Sequence, residues 1–130
     1  MPLRDIPSQQ EIHDLSNSTT QLGGFTITSE YISHPGPTLG YRVQHGDKAI
    51  CYLPDHEPVI GKSKLFPKEE WVSGIELARE VDLLIHDAQY SKKEYKVKIG
   101  WGHSSLNMAA RFGAKSKVKR LVLFHHDPAH

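Results

Sequence analysis

HPGPTLGYRVQHGDKAICYLPDHEP, residues 34–58, decides how this chain folds. Two stretches with apolar character, LGYRVQ (39–44) and KAICYL (48–53), are joined around His45-Gly46-Asp47-Lys48. So short a joint, with glycine where a positive φ is needed, predicts a β-hairpin. Before the first stretch stands His34, and just after the second stands Asp55. A hairpin flanked by an imidazole and a carboxylate brings two polar, reactive groups to strand ends.

Working outward, GFTITSEYI (24–32) alternates well enough to be a further strand. Residues 57–66 read as a loop. Pro67 opens a helix over KEEWVSGIELAREV (68–81), with Trp71, Ile75 and Ala78 on one face. VDLLIH (81–86) is a short apolar strand and SKKEYKVKIGWG (91–102) a polar connection. SSLNMAARF (104–112) predicts a second helix with serine as N-cap, ended by Gly113, and VKRLVLF (118–124) the last strand. Hairpin-linked strands followed by helix–strand–helix–strand predict an α/β (α+β) domain: a mixed β-sheet with helices packed on it. Residues 1–22, polar and carrying Pro2, Pro7 and SNSTTQ, read as a poorly ordered lead-in, with residues 23–130 as the domain.

With 130 residues the chain suffices for one domain. Apolar content of 38% and charged content of 24% are those of an ordinary globular protein. A net charge of +1 gives no general pull toward nucleic acid or anionic lipid. No apolar run approaches the length of a membrane span, and MPLRDIPSQQEIHDL lacks the apolar core of a secretory leader. The single cysteine, Cys51, excludes an internal disulfide, and its place in an apolar run makes it a small buried hydrophobe. These features fit a cytoplasmic setting. The nine histidines are the unusual feature.

Those histidines cluster with acids at strand ends. His34 follows FTITSEYI, Asp55 follows KAICYL, His86 and Asp87 follow VDLLI, and His125, His126 and Asp127 follow KRLVLF. His103 precedes a helix, after Gly100-Trp101-Gly102. Imidazole nitrogen and carboxylate oxygen are the donors that zinc, manganese and iron take at hydrolytic sites.

HPGPTLGYRV, CYLPDHEP, HDAQY, GHSS and LVLFHHDP, in this order, resemble the second half of a metallo-β-lactamase-fold hydrolase. The resemblance is to the phosphodiesterase-like branch that includes ribonuclease Z, and it runs from about Gly24 to the last residue. It implies half of an αββα sandwich with helices on one face. It also implies His34, Asp55 and His125 as metal ligands, Asp55 shared between two ions. Asp87 and His103 would be the catalytic pair that handles protons. The implied cofactor is a divalent metal, zinc first and manganese or iron as alternatives. The implied reaction is hydrolysis of a phosphodiester or related ester by metal-activated water, on a small or nucleic-acid-derived substrate.

The sequence departs from that pattern by lacking the earlier His-x-His-x-Asp-His motif; the one histidine before His34 is His13. The chain therefore reads as an interior piece of a larger hydrolase, inactive alone, with metal held weakly or not at all. The alternative is a non-catalytic half-domain that self-associates, as a homo-oligomer or by strand exchange, through its exposed sheet. Plainer roles stand beside each assignment: a turn for His34, a loop cap for Asp55, a core imidazole for His125, and a structural pair for Asp87 and His103. His13 and His45 read as solvated and His86 as packed at a strand end, while His56, His126, Asp127 and His130 receive no role. Lys115, Lys117, Lys119 and Arg120 read as a solvated helix end, with a phosphate-binding surface as the alternative.

Overall fold

Alternating side chains build the sheet from which everything else hangs. The computed structural model describes residues 15–62 and 68–128. Ser18–Leu22 (β1), Phe25–Tyr31 (β2), Leu39–His45 (β3), Lys48–Leu53 (β4), Leu83–Asp87 (β5) and Leu121–Phe124 (β6) form one six-stranded sheet in sequence order. β1 to β4 pair antiparallel, while β4–β5 and β5–β6 pair parallel. The mixed α/β sheet expected from the sequence is the one observed. Gly46, at φ 57°, makes the β3–β4 turn, where residues with a side chain are disfavoured.

The pleat sorts β4 cleanly. Ala49, Cys51 and Leu53 are buried, whereas Ile50 and Tyr52 remain 44% and 37% exposed. On the buried side Cys51, Leu53 and Leu84 pack with Leu77, Ala78, Val81 and Phe112 into the main core. The helices Ile75–Ala78 (α1) and Leu106–Lys115 (α3) cover this face. Arg42 ties β3 to α1, its guanidinium donating to the carbonyls of Leu77 and Arg79 at the helix end. On the other face the register sets Val43 beside Ile50, Tyr41 beside Tyr52, and Ile85 between Tyr52 and Val122. That face is apolar, and among the described residues nothing covers Ile50, Tyr52 and Val122, which stay exposed.

Strand direction places the chemistry. β2, β4, β5 and β6 all run the same way, so their carboxyl ends share one edge of the sheet. His34, Asp55, Asp87 and His125 follow or end those strands. The carboxyl edge of an open α/β sheet is where ligands gather.

Four local expectations are corrected. Ser18–Leu22, assigned to the lead-in, is a strand, because Thr19 and Thr20 pair with Thr28 and Ile27 across the Gly23-Gly24 turn. The helix expected over 68–81 is a 3-10 turn at Glu69–Trp71 and the short α1, separated by Gly74 at φ 70°. A Cβ at Gly74 would press on His56 and Leu53 at 3.3 Å, so the chain bends there, and Trp71 is 58% exposed instead of sharing the Ile75 face. The polar connection contains a helix, Lys92–Tyr95 (α2), started by a Ser91–Glu94 capping box. Finally, α3 continues through Gly113 to Lys115, since Gly113 lies within α3, where a Cβ would stand 3.3 Å from Leu121. His13, Pro67 and His130, and with them the start of the lead-in, lie outside the described residues.

Candidate metal centre

Asp55, His103 and His125 each present one donor atom within 4.8 Å of the others'. Asp55 is carried two residues past β4, and His125 immediately past β6. His125 Nδ1 lies 3.2 Å from Asp55 Oδ1 and 3.8 Å from Asp87 Oδ1. The nitrogen is buried, yet it makes no hydrogen bond. His125 also sits at φ 61°, a backbone state that costs a side-chain-bearing residue about 1 kcal/mol or more. A strained residue with an orphaned buried nitrogen beside a carboxylate is the arrangement a cation would satisfy. The donor set of two imidazoles and one carboxylate suits zinc, manganese or iron.

Asp87 organises the opposite side. Its side chain is wholly buried, and its Oδ2 lies 2.8 Å from His103 Nδ1. The same carboxylate accepts the His56 and Gln89 backbone N–H groups at 3.0 Å. The hydrogen bond that His103 donates to Asp87 holds its pKa above the ordinary imidazole value, with the charges of Asp87, Asp55 and Glu57 adding to it and burial opposing. An aspartate that fixes one imidazole nitrogen sets the tautomer and raises the basicity of the ring.

His34 stays outside the three-residue group. Its Nδ1 is engaged by the Gly36 backbone N–H at 3.1 Å and by Thr38 Oγ1 at 3.1 Å. Its ring nevertheless meets that of His103 edge-on, centroids 5.5 Å apart. Gly102 makes this approach workable, because a Cβ there would collide with Pro35 and with the His34 ring.

The sequence reading missed Glu57, which is fully buried. Its carboxylate accepts the Gly100 and Gly102 N–H groups at 2.9 Å and the Tyr95 hydroxyl at 2.7 Å. Only its place between His56 and Pro58-Val59 hinted at burial. His56 and His86 form a second buried pair, Nδ1 to Nε2 at 3.0 Å, against Phe112. Burial pushes His86 down to about 4 and His56 well below its usual range. Burial likewise pushes the Cys51 thiol up to about 12. His126 Nδ1 approaches the Ala88 carbonyl at 3.2 Å, and Asp127 pairs with Lys98 at 3.4 Å. In the basic run, Lys119 pairs with Asp82 at 2.8 Å and Lys117 lies 4.0 Å from Glu80.

Residues 3–126 match the family profile described as "Beta-lactamase superfamily domain". The chain is 45% identical over 126 aligned positions to a ribonuclease Z of Prochlorococcus marinus (strain NATL1A), covering 86% of this chain and 39% of that protein. It superposes on human tRNase Z, short form, with TM-score 0.68 and 29% identity, over 85% of this chain and 39% of that one. The metallo-beta-lactamase fold protein YhfI of Bacillus subtilis, at 21% identity and TM-score 0.70, shares the fold over 89% of this chain and 42% of its own. The chain thus spans about two fifths of the length of these relatives.

Proposed function

This chain belongs to the beta-lactamase superfamily, and from that premise we propose that it carries the late part of the centre of a metal-dependent phosphodiesterase. The observation that carries the reading is the gathering of Asp55, His103 and His125, with the Nδ1 of His125 buried and without a hydrogen bond. In the complete protein, Asp55 and His125 would serve as ligands of one ion and His34 as a ligand of another, while His103, held by Asp87, would move the proton. A divalent ion held there, zinc before manganese or iron, would supply Lewis-acid chemistry to the phosphoryl group and to water. Asp87, buried and bonded to two backbone amides, keeps His103 in one orientation throughout. The relatives' names, ribonuclease Z and tRNase Z, point to RNA as the substrate class.

The chain lacks a His-x-His-x-Asp-His motif, so it holds metal weakly and turns over no substrate alone. Joined to a segment bearing that motif, it hydrolyses a chromogenic phosphodiester, and Asp55→Ala abolishes the activity. Full activity in the Asp55→Ala protein would refute the assignment. Elemental mass spectrometry after zinc loading and desalting gives the companion measurement: little metal on this chain alone, near-stoichiometric metal on the joined protein.

The partner of the bare sheet face is a second part of the reading. Ile50, Tyr52 and Val122 leave that face apolar, 37–46% exposed at these positions. In the complete protein the rest of the sandwich covers it; in this chain alone a second copy does so. Light scattering at two concentrations tests this, and a monomer at both contradicts it. Among the described residues no helix is long and apolar enough to cross a membrane.

A further inference from the structure

A buried carboxylate is costly unless donors surround it. Glu57 is fully buried, and each of its partners is a donor. Gly100 N–H reaches both oxygens, at 2.9 and 3.0 Å; Gly102 N–H reaches Oε2 at 2.9 Å. Tyr95 hydroxyl reaches Oε1 at 2.7 Å and Gly61 N–H the same oxygen at 3.3 Å. An acceptor-only group with this many donors is a fixed anchor for the segment that supplies them.

That segment leads directly into His103. Gly100 and Gly102 take φ 89° and 91°, which lets two amides separated by one residue converge on one carboxylate. The tripeptide Asp55-His56-Glu57 then addresses three parts of the site in succession. Asp55 faces His125, the His56 amide bonds Asp87, and Glu57 holds the loop before His103. The Gly102 backbone held this way also abuts His34.

We propose that Glu57 is a positioning residue of the centre: its carboxylate fixes Gly100 and Gly102 so that His103 meets Asp87, Asp55 and His125, and Gly102 closes on His34. The inference rests on the reading of these residues as the hydrolytic centre, but its first test needs no metal. In the metal-free chain, Glu57→Gln turns one acceptor oxygen into an amide donor that faces backbone donors. Amide exchange at Gly100 and Gly102 rises at least tenfold, while that of Leu84, bonded to the Arg120 carbonyl in the core, stays unchanged. The NMR cross-peak between the His103 and His125 rings, whose centroids lie 5.1 Å apart, is lost. Zinc affinity falls about 10- to 100-fold, the usual effect of removing a partner that orients ligands.

Accelerated exchange with the ring cross-peak intact would reduce Glu57 to a loop anchor and overturn the proposal, as would unchanged exchange. Loss of the cross-peak, when the joined protein bearing the His-x-His-x-Asp-His motif takes up no metal, supports the proposal while refuting the metal reading, so the two fail separately. If Glu57→Gln also loses protection at Leu84, Tyr95→Phe carries the test, since it removes one donor and leaves the two glycine amides bonded. A several-fold rise in exchange at Gly100 and a weakened cross-peak are expected there, and no change in either overturns the proposal.

Discussion

His103 turns its Nδ1 toward a carboxylate removed from solvent, Asp87 Oδ2 at 2.8 Å, on a side chain that is wholly buried. The pair is therefore more than a surface ion pair, whose worth in water is small. Asp87→Asn keeps the shape but turns one acceptor oxygen into an amide donor, so it loses one of the two backbone bonds together with the charge that orients the ring. Hydrolysis of the chromogenic phosphodiester by the joined protein, read as kcat, falls about a hundredfold or more. His103→Ala lowers it as far, and the double variant falls little further because the two residues act as one unit. Additive losses would show that the contact has no part in the proton transfer.

The buried histidines set the acid limit of the fold. His86 falls to about 4 through burial, and His56 falls well below its usual range for the same reason. A depressed pKa in the folded state gives stability that is complete above about 6.5, the unfolded value, and declines as pH drops toward the folded one. His103, raised by Asp87, works in the opposite sense: its contribution is full at low pH and disappears as pH rises through its raised value. Urea unfolding of metal-free protein is expected to lose on the order of 2–3 kcal/mol between pH 6.5 and 4.5, starting above the range where carboxylates titrate. A flat profile from pH 7 to 5 would contradict burial of the pair as neutral imidazoles.

The sheet was legible because side-chain alternation states which face a strand buries, and the KAICYL pattern recurs in the exposures of β4. Helix breaks were not, because Gly74 breaks the 68–81 pattern only through its contact with Leu53 and His56, a tertiary fact. The Ser91–Glu94 cap is written in the sequence as Ser-x-x-Glu, but the lysines around it give no apolar period to mark a helix. His34, Asp55, Asp87, His103 and His125 were each legible as residues at strand ends or helix starts. That His103 stands nearer Asp55 and His125 than His34 does depends on the path of the 99–103 loop. Glu57, which sets that path, shows no burial signal in its own residue type.

Gly102 is the tightest point of that loop. At φ 91° any side chain is strained, and a Cβ would strike Pro35 and the His34 ring. Gly102→Ala should cost about 2 kcal/mol or more, lowering Tm by roughly 5–10 °C for a domain of this size. The His34 ring signals should shift while those of Phe112 do not. An unchanged Tm would mean that His34 and Gly102 are not in contact.

Phe112 links the core to the histidines. It is fully buried, its ring edge-on to His56 at 5.3 Å and tilted against His86 at 4.8 Å between centroids. Phe112→Ala removes this packing and leaves a cavity, a change worth about 3–5 kcal/mol. The cavity borders two polar rings, so water entry would relieve the burial that depresses them. The His86 titration followed by NMR should move up from about 4 toward its ordinary value, and the acid loss of stability should become shallower. Phe112→Leu, which fills most of the space, should cost less and leave the titration nearly in place. If Phe112→Ala unfolds the chain at neutral pH, the leucine variant still separates the two effects: a loss of stability with no upward shift is the expected result. A large upward shift with leucine in place would mean that something other than exclusion of water by this side chain holds His86 low.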